Sequence, residues 1–321
     1  MRIVSLLPSA TEIVCALGAG DELVGRSHEC DFPVAIADLP VCTEPKVRVD
    51  GNSDEIHASV TEILRSDISV YRVHADLLRE LRPDVIVTQV QCDVCAVSLR
   101  DVEASIAGWM GTDAPRIVAL NPSTIAGVLD DIAAVGRAID RPSRDVISAI
   151  DERISDIARR ARGESSRPRV ATVEWISPLM SAGNWIPELI DLAGGENLFG
   201  RAGEHSPRID LETFARADPD VIVIFPCGFS IDRAMADLPL LASQPVWRDL
   251  RAVRRGDVFI ADGNQFFNRP GPRIVESLEI FAEILHPDCV IPSRPSTRAS
   301  RSLRAGSDGE ESGRWRRLRG F

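Results

Sequence analysis

The run Ile3-Val4-Ser5-Leu6-Leu7-Pro8-Ser9-Ala10-Thr11-Glu12 decides the fold class. Ile3 to Leu7 is a short apolar run closed by Pro8, which reads as a buried strand. Ser9 and Glu12 have the S-x-x-E spacing of a capping box, so a helix is expected to start there. Gly18 and Gly20 are expected to end it. Leu23 to Arg26 then reads as a second strand, leading into the polar loop Ser27-His28-Glu29-Cys30-Asp31. Strand, helix, strand in that rhythm predicts a parallel α/β sheet.

Further along, one pattern occurs twice. Leu81-Arg82-Pro83-Asp84-Val85-Ile86-Val87-Thr88 is echoed by Ala217-Asp218-Pro219-Asp220-Val221-Ile222-Val223-Ile224. In each, proline stops a helical pattern before a buried strand, and the strand runs out toward a cysteine, Cys92 or Cys227. Two such units predict two lobes of related architecture. Between them, Ser123 is placed to cap one helix and Pro142 to open another. The second reaches Arg162, long enough at 1.5 Å per residue to join two lobes. The expected division is an N-terminal α/β lobe at 1–121, linking helices at 122–167, a C-terminal α/β lobe at 168–287 and a tail at 288–321.

Composition narrows the class. A chain of 321 residues with 44% hydrophobic and 26% charged residues is neither collagen-like nor wholly disordered. A net charge of -11 argues against a nucleic-acid-binding surface. Residues 290–321 run the other way, with Arg294, Arg298, Arg301, Arg304, Arg314, Arg316, Arg317 and Arg319 against Asp308, Glu310 and Glu311. That segment is rich in Ser, Pro and Gly and reads as a disordered basic tail, with contact to an anionic membrane or partner as the alternative. No stretch approaches the roughly 20 apolar residues of a transmembrane helix. Glu12 interrupts any signal-peptide core, so a cytoplasmic location is expected of the sequence as it stands, and a periplasmic or extracellular one if the true start lies upstream. Seven cysteines in a chain of this size point to free thiols, metal or redox chemistry rather than a disulfide framework.

In parallel sheets ligands gather beyond the carboxyl ends of strands. That rule selects His28, Glu29 and Cys30; Gln91, Cys92 and Cys95; Trp175; Cys227; and Gln265, Phe266, Phe267 and Asn268, with Asn184 and Trp185 nearby. Trp175, Trp185 and Phe266 would offer broad apolar faces, and Asn184, Gln265 and Asn268 hydrogen-bonding amides. Inter-lobe core is the competing reading of the aromatics. Cys92-x-x-Cys95 before a helical stretch favours thiolate, so Cys30, Cys92, Cys95 and Cys227 are candidate metal or redox residues, with His28 as a fourth ligand in one lobe. Small buried thiols are the alternative. No Walker A loop, G-x-S-x-G, H-E-x-x-H or G-x-G-x-x-G occurs, and no enzyme mechanism is indicated.

The opening run Ile3 to Glu12 is followed in order by Val24-Gly25-Arg26-Ser27, Gly194-Gly195-Glu196-Asn197-Leu198-Phe199 and Pro272-Arg273-Ile274. Together they resemble the cobalamin (vitamin B12)-binding substrate-binding proteins of ABC importers, within the helical-backbone metal receptor superfamily. The resemblance covers residues 2–286 and implies two parallel-sheet α/β lobes joined by one long backbone helix, of the type III periplasmic-binding-protein kind. It also implies a corrinoid held in the cleft between the lobes, a monomer, and an ABC permease as partner, with one carboxylate per lobe docking on it, here Asp76 and Glu212. Siderophore, haem or metal binding is the first alternative, and a thiol-dependent enzyme acting on a corrinoid the second. The chain departs from the pattern in an insertion around Ser53 to Val73, in the Cys92-Asp93-Val94-Cys95 motif and in lacking an evident export signal.

Overall fold

The computed structural model describes residues 1–46, 50–65, 70–90, 97, 99–107, 114–287 and 313–318. Cys92, Cys95 and Gln91 lie outside them. Two compact units emerge, Met1–Glu152 with Arg269–Ile274, and Arg153–Asn268 with Val275–Phe321. The boundary falls inside a helix within the 122–167 stretch, and the short return of 269–274 to the first unit was not expected.

The first unit runs β1 (Ile3–Ser5), α1 (Pro8–Ala16), β2 (Leu23–Arg26), β3 (Thr43–Pro45), α2 (Ser53–Arg65), β4 (Tyr71–Val73), α3 (Ala75–Leu81), β5 (Val85–Gln89), α4 (Leu99–Ile106), β6 (Arg116–Leu120) and α5 (Ile125–Ala138). Its sheet is parallel in the order β2-β1-β5-β6. β3 and β4 form a separate antiparallel pair, so the insertion around Ser53 to Val73 contributes one helix and one strand. The helix α6 (Arg144–Ala161) carries the chain into the second unit, and at 18 residues it spans about 27 Å.

The second unit runs β7 (Arg169–Val173), α7 (Ile186–Leu192), β8 (Glu196–Asn197), α8 (Leu211–Ala217), β9 (Val221–Ile224), the short helices α9 (Ile231–Asp237), α10 (Pro239–Ala242), α11 (Pro245–Asp249) and α12 (Arg251–Arg255), then β10 (Val258–Ala261), α13 (Ile274–Leu285) and β11 (Trp315–Leu318). Its sheet order is β11-β10-β9-β7-β8, parallel except for the β10–β11 pair. No helix among the described residues is long and apolar enough to cross a membrane.

The sequence echo is an atomic repeat. α3 and α8 each have seven residues and each ends on a left-handed cap, Arg82 (φ 45°) and Asp218 (φ 40°). The next proline cannot continue the helix, and the aspartate after it grips the neighbouring strand. Asp84 Oδ2 accepts from Arg2 N at 2.7 Å, and Asp220 Oδ2 accepts from Arg169 N at 3.0 Å. The same arginines donate back to the helix ends, Arg2 to Leu81 O and Arg169 to Ala217 O. Those carbonyls would otherwise lack partners.

Three local expectations are corrected. Ser9 and Glu12 form no capping box: Leu7 is the N-cap, with no side-chain hydrogen bond, and Pro8 supplies the first turn. Thr124, not Ser123, caps α5, its hydroxyl accepting from Gly127 N. The tail is not disordered at 313–318, where β11 covers the edge of the second sheet. Trp315 and Leu318 are buried, Trp315 meets Phe259 edge-on, and Arg314 pairs with Glu279 and Glu283. Arg316 pairs with Asp232 and Arg317 with Asp257.

Candidate functional site

The first unit concentrates polar groups beyond the carboxyl end of β2. Ser27 is buried, and Ser27 and Thr43 hydroxyls lie 3.1 Å apart. Thr43 Oγ1 also accepts from His28 N at 3.1 Å and lies 2.8 Å from His28 Nδ1. The His28 ring leans on Tyr71 at 5.6 Å between centroids. Burial, then the charge of Arg26, holds the His28 pKa below its usual value. Beside it, burial pushes Glu29 up to about 7, although Arg269 pulls the other way. A carboxylic acid that is half-protonated near neutrality can donate as well as accept a hydrogen bond.

Arg269 was not anticipated from the sequence. Its side chain is 3% exposed and bridges Glu12 at 3.2 Å and Asp31 at 2.6 Å. Glu12, 2% exposed, also meets Arg273 at 3.6 Å, and Arg273 lies over the Phe32 ring. This is why Glu12 cannot cap α1: its carboxylate is committed to arginines more than 250 residues away in the chain. A buried charge needs such partners. The Asn268-Arg269-Pro270 stretch carries no local pattern that would have revealed the pairing.

Cys30 is corrected as a thiolate candidate. It is buried, its sulfur lies 3.0 Å from Thr11 Oγ1, and burial pushes its pKa up to about 11. At neutral pH it is a thiol packed against a hydroxyl. Cys227 is half-buried in the second unit, with its amide donating to Glu174 O at 3.0 Å. Among the described residues no three His, Cys, Asp or Glu side chains are grouped to hold a metal ion. The Cys92 and Cys95 expectation lies outside the described residues.

In the second unit Trp175 follows β7 and is half-buried, its indole N–H donating to Ser177 O at 2.8 Å. It meets Phe229 edge-on at 5.4 Å, and Arg233 lies 4.0 Å over the Phe229 ring. Asn184 sits in the left-handed region (φ 52°), which asparagine tolerates better than most residues, and Trp185 beside it is 5% exposed. Phe267 is corrected from ligand contact to core. It is fully buried, stacked on Phe225 at 4.3 Å and edge-on to Phe281 at 5.2 Å. Phe266 is also buried. The turn Gly263–Phe267 is π-helical, and Asn268 closes it by donating to Gly263 O at 2.9 Å. Gln265 and Asn268 remain half-buried. Asp76 and Glu212 are both exposed, each the second residue of its seven-residue helix, α3 or α8.

Two α/β units with parallel sheets, joined through one long helix, define a class of binding protein. A family model described as "Periplasmic binding protein" matches residues 3–264, and the chain belongs to that family. It is a substrate-binding protein of the ABC-importer kind. A curated cobalamin-binding protein of Halobacterium salinarum is 25% identical over 288 residues, covering 89% of this chain and 69% of the relative. A vitamin B12-binding protein of Vibrio cholerae is 24% identical, covering 87% and 86%. Among solved structures, the periplasmic vitamin B12 binding protein BtuF of Vibrio cholerae superposes with a TM-score of 0.62 at 21% identity, covering 88% of this chain and 96% of that one. A periplasmic heme binding protein from Pseudomonas aeruginosa gives 0.65 at 21% identity, covering 89% and 92%. These relatives are named as binding proteins, not enzymes.

Proposed function

We propose that the chain binds a corrinoid and delivers it, as a monomer, to an ABC permease. The observation that carries this reading is the pair of relatives named for cobalamin and vitamin B12, matched over nearly nine-tenths of the chain. The local chemistry suits the ligand. A corrinoid is a broad macrocycle fringed with amides, and it needs apolar faces together with groups that both donate and accept. In the second unit Trp175 offers such a face and Asn184, Gln265 and Asn268 offer polar groups; in the first, His28 and Glu29 offer polar groups. The heme binding neighbours favour a second reading, in which the cargo is another planar metal chelate. The family is periplasmic or extracellular, which supports the periplasmic or extracellular alternative for this chain.

The equivalent, exposed positions of Asp76 and Glu212 make them our docking carboxylates, because arginine–carboxylate pairs are strong and directional. Absorbance titration of the purified protein with cobalamin, cobinamide and haem tests the ligand. Saturable binding of a corrinoid, weakened by about 1–3 kcal/mol in Trp175→Ala, is expected. Haem binding with no corrinoid binding would transfer the assignment to the second reading.

A further inference from the structure

We propose that His28 Nε2 coordinates the metal of the bound corrinoid as an axial ligand, selecting corrinoids in which one axial position is held only by water. The proposal rests on the corrinoid reading and adds a bond to it.

The argument starts from Thr43. Its hydroxyl hydrogen points to Ser27 Oγ at 3.1 Å. Its oxygen is therefore left as an acceptor, and it receives the His28 backbone N–H at 3.1 Å. The ring nitrogen Nδ1 lies 2.8 Å away. We assign the proton to Nδ1 and the lone pair to Nε2, the tautomer that satisfies Ser27, Thr43 and His28 together. Metal-binding imidazoles are oriented in this manner, by a hydrogen bond at the nitrogen that does not bind.

Three further observations agree. Burial and Arg26 disfavour the imidazolium, so the ring is neutral and can coordinate. Tyr71 leans on the ring and restricts its rotation. His28 is half-buried at the carboxyl edge of the parallel sheet, and no described residue hydrogen-bonds Nε2. Ser27, Thr43 and Tyr71 together set both the protonation and the direction of one lone pair.

The step is a ligand exchange. Nε2 donates its lone pair to cobalt, the axial water leaves, Nδ1 keeps its proton, and no electron is transferred. Cobinamide, which lacks the nucleotide base, is the suitable probe. The full-length protein is loaded with cobinamide, reduced to the cobalt(II) form and studied by electron paramagnetic resonance. Nitrogen superhyperfine splitting is expected in the wild type and absent in His28→Ala, with cobinamide affinity falling about tenfold or more. His28→Gly with added imidazole should regain the splitting, which separates loss of the ligand from loss of the fold. Bound cobinamide without nitrogen splitting, or splitting that survives in His28→Ala, overturns the role of His28 and leaves the corrinoid reading intact. Wild-type protein that binds no corrinoid overturns the reading itself.

Discussion

The two units solve one folding problem with different materials. Both repeat the helix–proline–aspartate–strand device, with Arg2 and Arg169 in equivalent places. Their sheets also correspond strand for strand, β2-β1-β5-β6 matching β8-β7-β9-β10. The interiors diverge. The second unit is consolidated by packed rings, Phe225 stacked on Phe267 with Phe281 edge-on, and Phe214 stacked with Phe199 and Trp247. The first unit places buried charge and hydroxyl chains near its sheet's carboxyl edge, through Arg269 with Glu12 and through Thr43 with Ser27 and His28. Aromatic packing is tolerant of ligand chemistry and holds a shape. Polar networks specify direction and protonation. The comparison teaches that aromatic residues selected as ligand contacts can be structural, while the histidine and carboxylate with shifted pKa beyond a strand end sit in the other unit.

The sharpest way to break this comparison is to strike each interior once. Arg269→Ala should cost about 3 kcal/mol, because it removes one of the two arginines that compensate the buried Glu12 carboxylate. Phe267→Ala should cost about 3–5 kcal/mol through a cavity between Phe225 and Phe281. The two losses differ in their cure. Adding Glu12→Gln to Arg269→Ala should recover part of the stability, since the under-compensated charge is gone; no polar change should rescue Phe267→Ala. Urea denaturation of the three variants beside the parent measures this. An unrescued Arg269→Ala would mean that arginine packing, not charge pairing, holds the first unit.

The next effect concerns sheet edges. β6 ends the first sheet with Arg116 and Ala119 exposed, so water already solvates that edge. β10 is buried along its whole length and is covered by β11. Deleting residues 313–321 removes the Trp315 and Leu318 packing, an expected loss of about 2–4 kcal/mol. It also bares the apolar edge Val258-Phe259-Ile260-Ala261, which should promote association between copies. Thermal melting and light scattering read the two effects. A truncated chain as stable and as monomeric as the parent would show that β11 is ornamental.

These contrasts explain what the sequence could reveal. Parallel strands buried on both faces are continuous apolar runs, so Ile3–Ser5, Val85–Gln89 and Val221–Ile224 were legible from a few residues each. Proline fixed the helix ends for the same local reason. Glu12 was misread because a capping box is a local inference, and the carboxylate answers to Arg269 instead. The strand Trp315–Leu318 was hidden by its surroundings: averaged composition over 290–321 signals disorder, and only a tryptophan within an arginine-rich tail marked an apolar anchor. Phe266 and Phe267 were both read as ligand contacts beyond a strand end, yet the π-helical turn buries both. His28 and Glu29 were legible as residues at a strand end, but beside the neighbouring Arg26 their protonation depends on Thr43 and Arg269, which come from other parts of the chain.

The smallest expected effect tests the polar character of the first unit away from its proposed ligand site. Asp131, on α5, is half-buried, and its Oδ2 accepts from Asn121 N at 3.2 Å. Burial outweighs that hydrogen bond and, with Asp130 nearby, pushes the carboxyl up to about 6 from its usual 3.8. The folded chain therefore holds this proton more tightly than the unfolded chain does. Below pH 3.8 the contribution to stability is fully present; it declines as pH rises and is lost once pH passes about 6. Partial solvent access trims the size to roughly 1 kcal/mol. Asp131→Asn keeps an oxygen for Asn121 and never ionises, so its stability should stay flat across the window. Urea midpoints at pH 4 and pH 7 should therefore converge between variant and parent at the lower pH, with the variant ahead at the higher. A parent that gains on the variant as pH rises would show that the Asn121 hydrogen bond, not burial, governs this carboxyl.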